Sequence, residues 1–405
     1  MKKLMIMAVA LAMTLGANAQ GNNTGMGGGD GDVQSIAERI TKLEKKNDMF
    51  NLYLNYAASY QAEHNSLTGD WGSKFANKQL RLEIKGNLTD KIFYRLRHRL
   101  NKATDAKGED NFAKATDIMM VGYNVNDKLS IQGGKMCQIW GGFEFDENPM
   151  YIYQYSDMVD YMDNFMAGVV VSYKPIPTQE IAVEVSNAYN GKFSSEYGDN
   201  PVVVNQDVAH QLKKANHPLT YIINWNGSFF DGKLNTRWAW GLQTQAKGKY
   251  SRMLTLGQQL NLPKFQWYFD YMGAFDDLDR LKIATSELGD RLVDENGQAL
   301  SEAYLGKVHY NSFITKANWQ FAPNWNLMIK GMCETASVVK MEQFKNYRTS
   351  YGYMGSIEYY PAKQQDFRVF LAYVGRKYDY SKKSGLTDYN TDRIELGFMY
   401  RIKAY

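Results

Sequence analysis

The sequence has few cysteines, few prolines and no long apolar run in its main part. Two cysteines among 405 residues exclude a small fold held together by several disulfide bonds. The eight prolines leave most of the chain free to form regular secondary structure. After residue 20, no apolar run reaches the roughly 18 residues that a membrane-spanning helix requires. The formal net charge is only +4, and it falls to +2 if Lys2 and Lys3, which lie in the N-terminal segment discussed next, are left out. This near-balance excludes the strongly basic surface typical of nucleic-acid-binding proteins.

The first 19 residues have the features of a secretory signal peptide. Met1-Lys2-Lys3 precedes an apolar stretch from Leu4 to Leu15, and Ala17-Asn18-Ala19 forms an A-x-A cleavage site. We therefore expect residues 1–19 to be removed during export. The alternative is a short membrane anchor, which is disfavoured because about 12 apolar residues are too few to span a bilayer.

Two short segments precede the main part of the chain. Residues 20–32 are rich in glycine and asparagine, which is typical of a flexible linker. In residues 33–48, seam positions recur at alternating intervals of three and four, a pattern that predicts a coiled-coil helix. The seam consists of Val33, Ile36, Ile40, Leu43 and Asn47. Because it spans fewer than three heptads, we expect it to need a partner. The alternative is a short amphipathic helix packed on its own domain.

From residue 49 to residue 405, apolar and polar residues alternate with a period of two, which is typical of strands with one apolar and one polar face. Abundant tyrosine and glycine, with 29 and 34 residues, also favour strands and turns. Short turn segments alternate with longer polar segments, which span residues 63–73, 102–113, 139–164, 190–217, 246–252, 276–303, 338–346 and 380–391. We predict an all-β fold: a transmembrane antiparallel β-barrel of about 16 strands, preceded by a periplasmic coiled-coil helix. A soluble β protein would also alternate, but strands of about ten residues favour the barrel.

One motif supports a resemblance to a known family. Gly133-Gly134-Lys135 is followed by Trp140-Gly141-Gly142-Phe143-Glu144-Phe145, which leads into the third long loop. Together with the signal peptide, the coiled coil and the strand pattern, this motif resembles the phosphate-selective porin O and P family over essentially the whole mature chain. The resemblance implies a trimeric outer-membrane channel whose third external loop, residues 139–164, folds inward and narrows the pore. It also implies an arginine ladder and a lysine cluster that conduct anions.

Two neighbouring predicted strands carry basic residues on their polar faces. We call this group the basic wall, and it consists of Arg81, Lys85, Arg95, Arg97 and Arg99. If the apolar faces contact lipid, these side chains line the lumen, about 7 Å apart along a strand. Counting from the intervening turn places Arg81 near the height of Arg97. Guanidinium groups stay protonated and bind phosphate or carboxylate, so we expect a path for anions. The alternative is that these arginines solvate the lumen and pair with Glu83 and its neighbours.

The third loop carries six acids that we expect to form a constriction. They are Glu144, Asp146, Glu147, Asp157, Asp160 and Asp163. If the loop folds inward, their carboxylates would face the basic wall, and the opposed charges would sieve solutes by size and dipole. The alternative is an exposed, solvated loop.

Together these features predict a porin for passive diffusion of small hydrophilic, mainly anionic solutes such as phosphate. We expect it in the outer membrane of a Gram-negative bacterium, as a homotrimer in contact with lipid. The five histidines show no metal-ligand spacing and no GxSxG motif is present, so we expect no enzyme, metal or cofactor. Cys137 and Cys333 lie on distant predicted strands, and we expect isolated thiols. The alternative is a disulfide bridge formed in an oxidising compartment. The alternative function is a secreted or surface β protein that binds glycans without a pore.

Overall fold

The computed structural model describes residues 49–105, 108–206, 208–292, 298, 300–362 and 366–404. The predicted signal peptide, linker and coiled-coil helix lie outside these residues. Within them, no helix combines the length and the apolar character needed to cross a bilayer.

Nineteen strands are present in the described part of the chain, and sixteen of them close into an antiparallel barrel. The barrel strands are β1 (Asn51–Asn65), β2 (Asp70–Asn87), β3 (Ile92–Arg99), β4 (Thr116–Asn126), β5 (Leu129–Cys137), β6 (Phe165–Ile176), β7 (Gln179–Asn187), β10 (Leu219–Phe229), β11 (Leu234–Ala246), β12 (Lys249–Leu262), β13 (Phe265–Asp276), β15 (Val308–Ala322), β16 (Trp325–Val338), β17 (Arg348–Tyr359), β18 (Asp366–Tyr380) and β19 (Tyr389–Lys403). Each strand pairs with its neighbour in sequence, and β1 also pairs with β19, which closes the barrel. The prediction of about 16 strands is confirmed.

The remaining elements lie in the long connections. The strands β8 (Val202–Asn205), β9 (Val208–Gln211) and β14 (Ala303–Leu305) form a small separate sheet. Four short helices are α1 (Phe143–Asp146), α2 (Asp157–Asp160), α3 (Phe193–Tyr197) and α4 (Ile283–Leu288), and 3-10 turns span Pro149–Tyr151, Gly289–Arg291, Glu342–Phe344 and Lys382–Ser384. Cys137 and Cys333, on β5 and β16, are not bonded to each other.

Side chains alternate between the two faces of the barrel as the period of two predicts. In β1, Asn51, Tyr53 and Asn55 are buried inside, whereas Leu52 and Leu54 face outward. Large aliphatic residues of the other strands are exposed on the outer surface, and buried acidic and basic residues face the interior. A soluble sandwich or barrel would place these aliphatic residues in a dry core. The arrangement therefore favours a barrel surrounded by lipid over a soluble β protein.

The two ends of the barrel differ in their connections. Short turns lie at one end, and long connections lie at the other, among them residues 138–164, 188–218 and 277–307. Two predicted long connections are short: β1 and β2 are joined by residues 66–69, and β11 and β12 by residues 247–248. Each of these turns contains a glycine with positive φ, which permits a tight reversal. The polar residues assigned to loops there belong to the ends of long strands.

The barrel wall is uneven in height. The strands from β3 to β10 have 8 to 12 residues, and we call them the low wall. The strands from β11 through β19 to β1 and β2 have 12 to 18 residues, and we call them the tall wall. The tallest strand, β2, therefore stands next to the shortest, β3.

Candidate functional site

Residues 139–164, which we call the inner loop, contact inward-facing side chains of the tall wall. The hydroxyl of Tyr153 donates to Glu358 on β17 at 2.8 Å, and that of Tyr151 donates to Asp366 on β18 at 2.7 Å. Arg368 donates to the carbonyl oxygen of Met150 at 2.9 Å. The apolar residues of the inner loop are buried in the same cluster as the barrel interior. The inner loop is thus packed inside the barrel, against the tall wall.

The chain enters the interior at Ile139 and Trp140. The N–H of Ile139 donates to the carboxylate of Glu184 at 2.8 Å, and its carbonyl oxygen accepts from the amide of Asn224 at 2.8 Å. Trp140 is fully buried. Its ring lies so close to Gly241 that a Cβ on that glycine would be 2.4 Å away. Two polar anchors and a glycine-lined slot therefore fix the point of entry.

The next two residues, Gly141 and Gly142, carry the chain along the inner face of β11 to β13. Both have positive φ, 71° and 76°, a conformation that residues with a Cβ rarely adopt. A Cβ on Gly142 would lie 3.2 Å from the carboxylate of Asp270 on β13. The same carboxylate accepts hydrogen bonds from the N–H groups of Phe143 and Glu144, each at 2.8 Å. The Trp-Gly-Gly motif therefore forms the turn that seats the inner loop.

Four of the six acids of the inner loop form ion pairs with the tall wall, and two of these four, Glu144 and Asp157, do not line the cavity. Glu144 forms a buried ion pair with Lys330 on β16. Asp157 forms ion pairs with Arg348 at 2.8 Å and Arg376 at 2.9 Å, on β17 and β18. These two carboxylates therefore contact β16, β17 and β18 rather than the basic wall on β2 and β3. Sequence analysis missed their partners because they lie on strands 186 to 219 residues away.

The other four acids of the inner loop line a cavity of about 1080 Å³ inside the barrel: Asp146, Glu147, Asp160 and Asp163. Asp146 forms an ion pair with Arg237 on β11, and Glu147 with Lys316 on β15. Asp163 accepts a hydrogen bond from the amide of Asn190 at 2.8 Å. One face of the inner loop therefore presents carboxylates to the cavity.

All five residues of the basic wall line the same cavity, and Arg401 on β19 joins them. Lys85 is opposite Arg95 on the β2–β3 pair, and Arg81 is opposite Arg99. Arg81 thus lies two residues beyond the height of Arg97 that we expected from counting. The difference arises because Lys91 belongs to the turn: the N–H of Leu88 donates to the carbonyl of Ile92, which closes a four-residue connection.

One carboxylate, that of Asp117 on β4, contacts three arginines of the basic wall. Its distances to the guanidinium nitrogens are 2.7 Å for Arg99, 3.3 Å for Arg97 and 3.8 Å for Arg81. The guanidinium of Arg97 also lies over the ring of Phe165, 5.1 Å from its centroid. Asp117 and Phe165 therefore hold these arginines in place along the cavity.

Asp117 reaches the interior because of a β-bulge. His98 pairs with Thr116 and the preceding Arg97 pairs with Ile118, so that Asp117 is the extra residue. Strict alternation would have placed Asp117 on the lipid side with Met119. The extra residue of the β-bulge instead turns the side chain of Asp117 toward the interior. Sequence analysis missed Asp117 because no local signal marks the bulge.

A second carboxylate, that of Glu83 on β2, is also buried among cations. It forms ion pairs with Arg95 at 2.7 Å and Arg401 at 3.4 Å. The pairing of Glu83 with arginines, which we considered as an alternative, is therefore present. Even so, the basic wall and Arg401 together supply six cations to the two carboxylates Glu83 and Asp117. The β2–β3 side of the cavity thus has a formal excess of four positive charges.

Across the whole lining, ten Lys or Arg residues accompany eight Asp or Glu residues, so the formal excess is two positive charges. The cations are concentrated on β2 and β3, and half of the carboxylates belong to the inner loop. Opposite charges on two sides of a narrow aqueous passage produce a field across it. The inner loop and the basic wall thus line one cavity inside the barrel and bring charges of opposite sign to it.

These features define a transmembrane β-barrel channel. The chain belongs to the phosphate-selective porin O and P family, whose profile matches residues 50–402. The family resemblance seen in the sequence is therefore confirmed. Among curated proteins, no sequence matches this chain.

Solved structures of outer-membrane channels share the fold. The outer membrane channel DcaP of Acinetobacter baumannii superposes with a TM-score of 0.56 at 11% identity, covering 88% of this chain and 99% of that one. An anion-selective porin from Comamonas acidovorans has a TM-score of 0.54 at 9% identity, covering 87% and 99%. OmpT of Vibrio cholerae in a trimer form has a TM-score of 0.50 at 10% identity, covering 87% and 99%. At these identities the similarity shows the fold alone. Family and fold together point to an outer-membrane porin, which is a non-enzymatic channel.

Proposed function

We propose that this porin passes small hydrophilic solutes by passive diffusion and prefers anions such as phosphate. The observation that carries the proposal is the formal excess of four positive charges on the β2–β3 side of the cavity. Cations at the wall of a narrow passage between low-dielectric walls raise the local concentration of anions. Arginine adds a planar pair of donors that matches phosphate and carboxylate oxygens.

In this proposal the inner loop is the constriction. Ion pairs of Glu144, Asp146, Glu147 and Asp157 fix it to the tall wall, and Asp146, Glu147, Asp160 and Asp163 line the passage. Without these last four acids the whole lining would have a formal excess of six positive charges, and with them the excess is two. We therefore expect a moderate anion preference. The size and the dipole of a solute then contribute to its selection along with the sign of its charge.

We further propose that the porin is a homotrimer in outer-membrane lipid. The predicted seam of residues 33–48 needs partner helices to be stable. The structurally similar OmpT of Vibrio cholerae has been described in a trimer form. The apolar outer face of the barrel provides the surface that lipid would contact.

Ion selectivity in planar bilayers tests the anion preference. In a salt gradient, the reversal potential of the wild type should indicate preferred passage of anions. The triple variant R95Q/R97Q/R99Q changes the formal charge of the lining from +2 to −1, so its reversal potential should shift toward cations. An unchanged reversal potential would mean that Arg95, Arg97 and Arg99 do not determine the ion selectivity.

A matched control separates local from general charge effects. The variant K377Q/K382Q/K383Q removes the same number of cations from the long-loop end of the barrel. None of these lysines lines the cavity, so the reversal potential should stay close to that of the wild type. An equal shift in both variants would mean that selectivity arises from the overall charge.

A further inference from the structure

The outer half of β2 has an edge that no described strand covers. Residues 81–87 of β2 pair with β3, whereas residues 70–79 pair only with β1. This difference follows from the lengths of the strands, since β2 has 18 residues and β3 has eight. The exposed edge of a strand presents backbone N–H and C=O groups that can pair with another chain. Residues 70–79 therefore form a template for association, which we call the β2 edge.

The β2 edge also carries the two most exposed large apolar side chains of the described residues. Phe75 is 88% exposed and Trp71 is 76% exposed. Both face outward: Phe75 contacts Tyr60 with ring centroids 5.2 Å apart, and Trp71 stacks on His64 at 4.6 Å. Aromatic rings fixed by neighbours lose little conformational freedom on binding and are frequent anchors in interfaces. An unpaired edge and an apolar patch thus coincide.

The start of the described chain lies on the same side of the barrel. The carbonyl oxygen of Met49 accepts a hydrogen bond from the hydroxyl of Tyr94 on the outer face of β3, at 2.9 Å. Met49 also covers Gly86 of β2, where a Cβ would be 1.9 Å from that carbonyl oxygen. Residues 49 and 50 therefore cross the outer surface of β2 toward β3. The described chain therefore begins on the outer surface of β2, beside β3.

We propose that the β2 edge docks against a second copy of this chain, so that β1, β2 and β3 face the axis of the assembly. The inference rests on the proposed trimer and adds its location. Only about three residues separate the predicted helix from β1, a reach of roughly 10 Å. Copies joined through that helix must therefore lie beside β1 to β3. In a closed ring each copy offers its edge to the next one, and no edge stays exposed.

Site-specific photo-crosslinking in the outer membrane tests the docking directly. The photoreactive residue p-benzoylphenylalanine would replace Phe75 or Trp71 in the full-length chain. The matched control replaces Phe275, which also faces outward near the long-loop end but lies on β13. We expect a band of twice the mass at positions 75 and 71, several-fold stronger than at 275. Products with lipid or with a different protein only, or equal bands at all positions, would overturn the proposal.

A second measurement distinguishes this proposal from the trimer itself. The double variant W71S/F75S and the control F275S would be compared with the wild type by light scattering in detergent. Heat-modifiable mobility on gels verifies that each barrel is folded. We expect W71S/F75S to lose the trimer and F275S to keep it. A monomeric wild type would overturn the trimer. A trimeric wild type whose W71S/F75S variant is equally trimeric would overturn only the assigned docking site.

Discussion

Arg81 lies directly opposite Arg99 across the β2–β3 pair, and both guanidinium groups contact the carboxylate of Asp117. Like charges directly opposite each other on neighbouring strands repel. The shared carboxylate offsets this repulsion and holds both side chains along the cavity. Because one carboxylate serves three arginines, the surface remains positively charged.

Replacing this carboxylate should strengthen the preference for anions. D117N raises the formal excess of positive charge in the cavity lining from two to three. The reversal potential in a salt gradient should therefore move further in the anion direction. D379N removes an external carboxylate near Lys377 and serves as the control, with little expected change. A shift of D117N toward cations would contradict the role of Asp117 as a counter-charge.

A side chain at Gly142 should disturb the seat of the inner loop. G142A places a Cβ at φ 76° and ψ 160°, a region that is essentially restricted to glycine and costs other residues about 1–3 kcal/mol, and 3.0 Å from Thr255. We expect a lower midpoint of thermal unfolding and a noisier single-channel current. G331A is the control, since its Cβ would meet its nearest neighbour at 3.6 Å. Equal behaviour of the two variants would show that the Gly-Gly turn is dispensable.

Removing one member of the buried Glu144–Lys330 pair should loosen the inner loop. K330M leaves the carboxylate of Glu144 buried without its cation, and breaking such a pair typically costs about 3–5 kcal/mol. Single-channel conductance should rise as the loop moves away from the tall wall. The double variant E144Q/K330M should recover part of the loss, because neither buried charge remains. Additive effects of the single variants would indicate that the pair does not anchor the loop.

Deleting residues 33–47 should weaken the trimer without unfolding the barrel. The predicted seam lies in this segment, whereas the strands begin at Asn51. We expect the deletion variant to keep its heat-modifiable mobility and to dissociate into monomers more readily in detergent. Deletion of residues 20–32, the predicted linker, is the control and should leave the trimer as stable as in the wild type. Equal trimer stability in both deletions would assign assembly to the barrel alone.

The sequence was sufficient to predict the barrel and the inward face of the basic residues, because side-chain direction along a strand is a local property. It did not predict the register of Arg81, since the turn lies one residue further along the chain than the counting assumed, and this displacement shifts every pairing. Asp117 was not predicted as a lining residue because a β-bulge reverses the alternation of side chains there. The partners of Asp157 were also missed, because Arg348 and Arg376 approach it only after the barrel has closed.

The ion pairs that hold the inner loop and the arginines of the cavity lie in different parts of the sequence. The cations that pair with the acids of the inner loop lie on β11 and β15 to β18, whereas the guanidinium groups that would attract solute lie mainly on β2, β3 and β19. Aperture and charge preference are therefore encoded in separate stretches of the gene. Substitution of Lys330, Arg348 or Arg376, which hold the inner loop but do not line the cavity, is therefore expected to change the calibre of the passage while the formal charge of its lining stays the same.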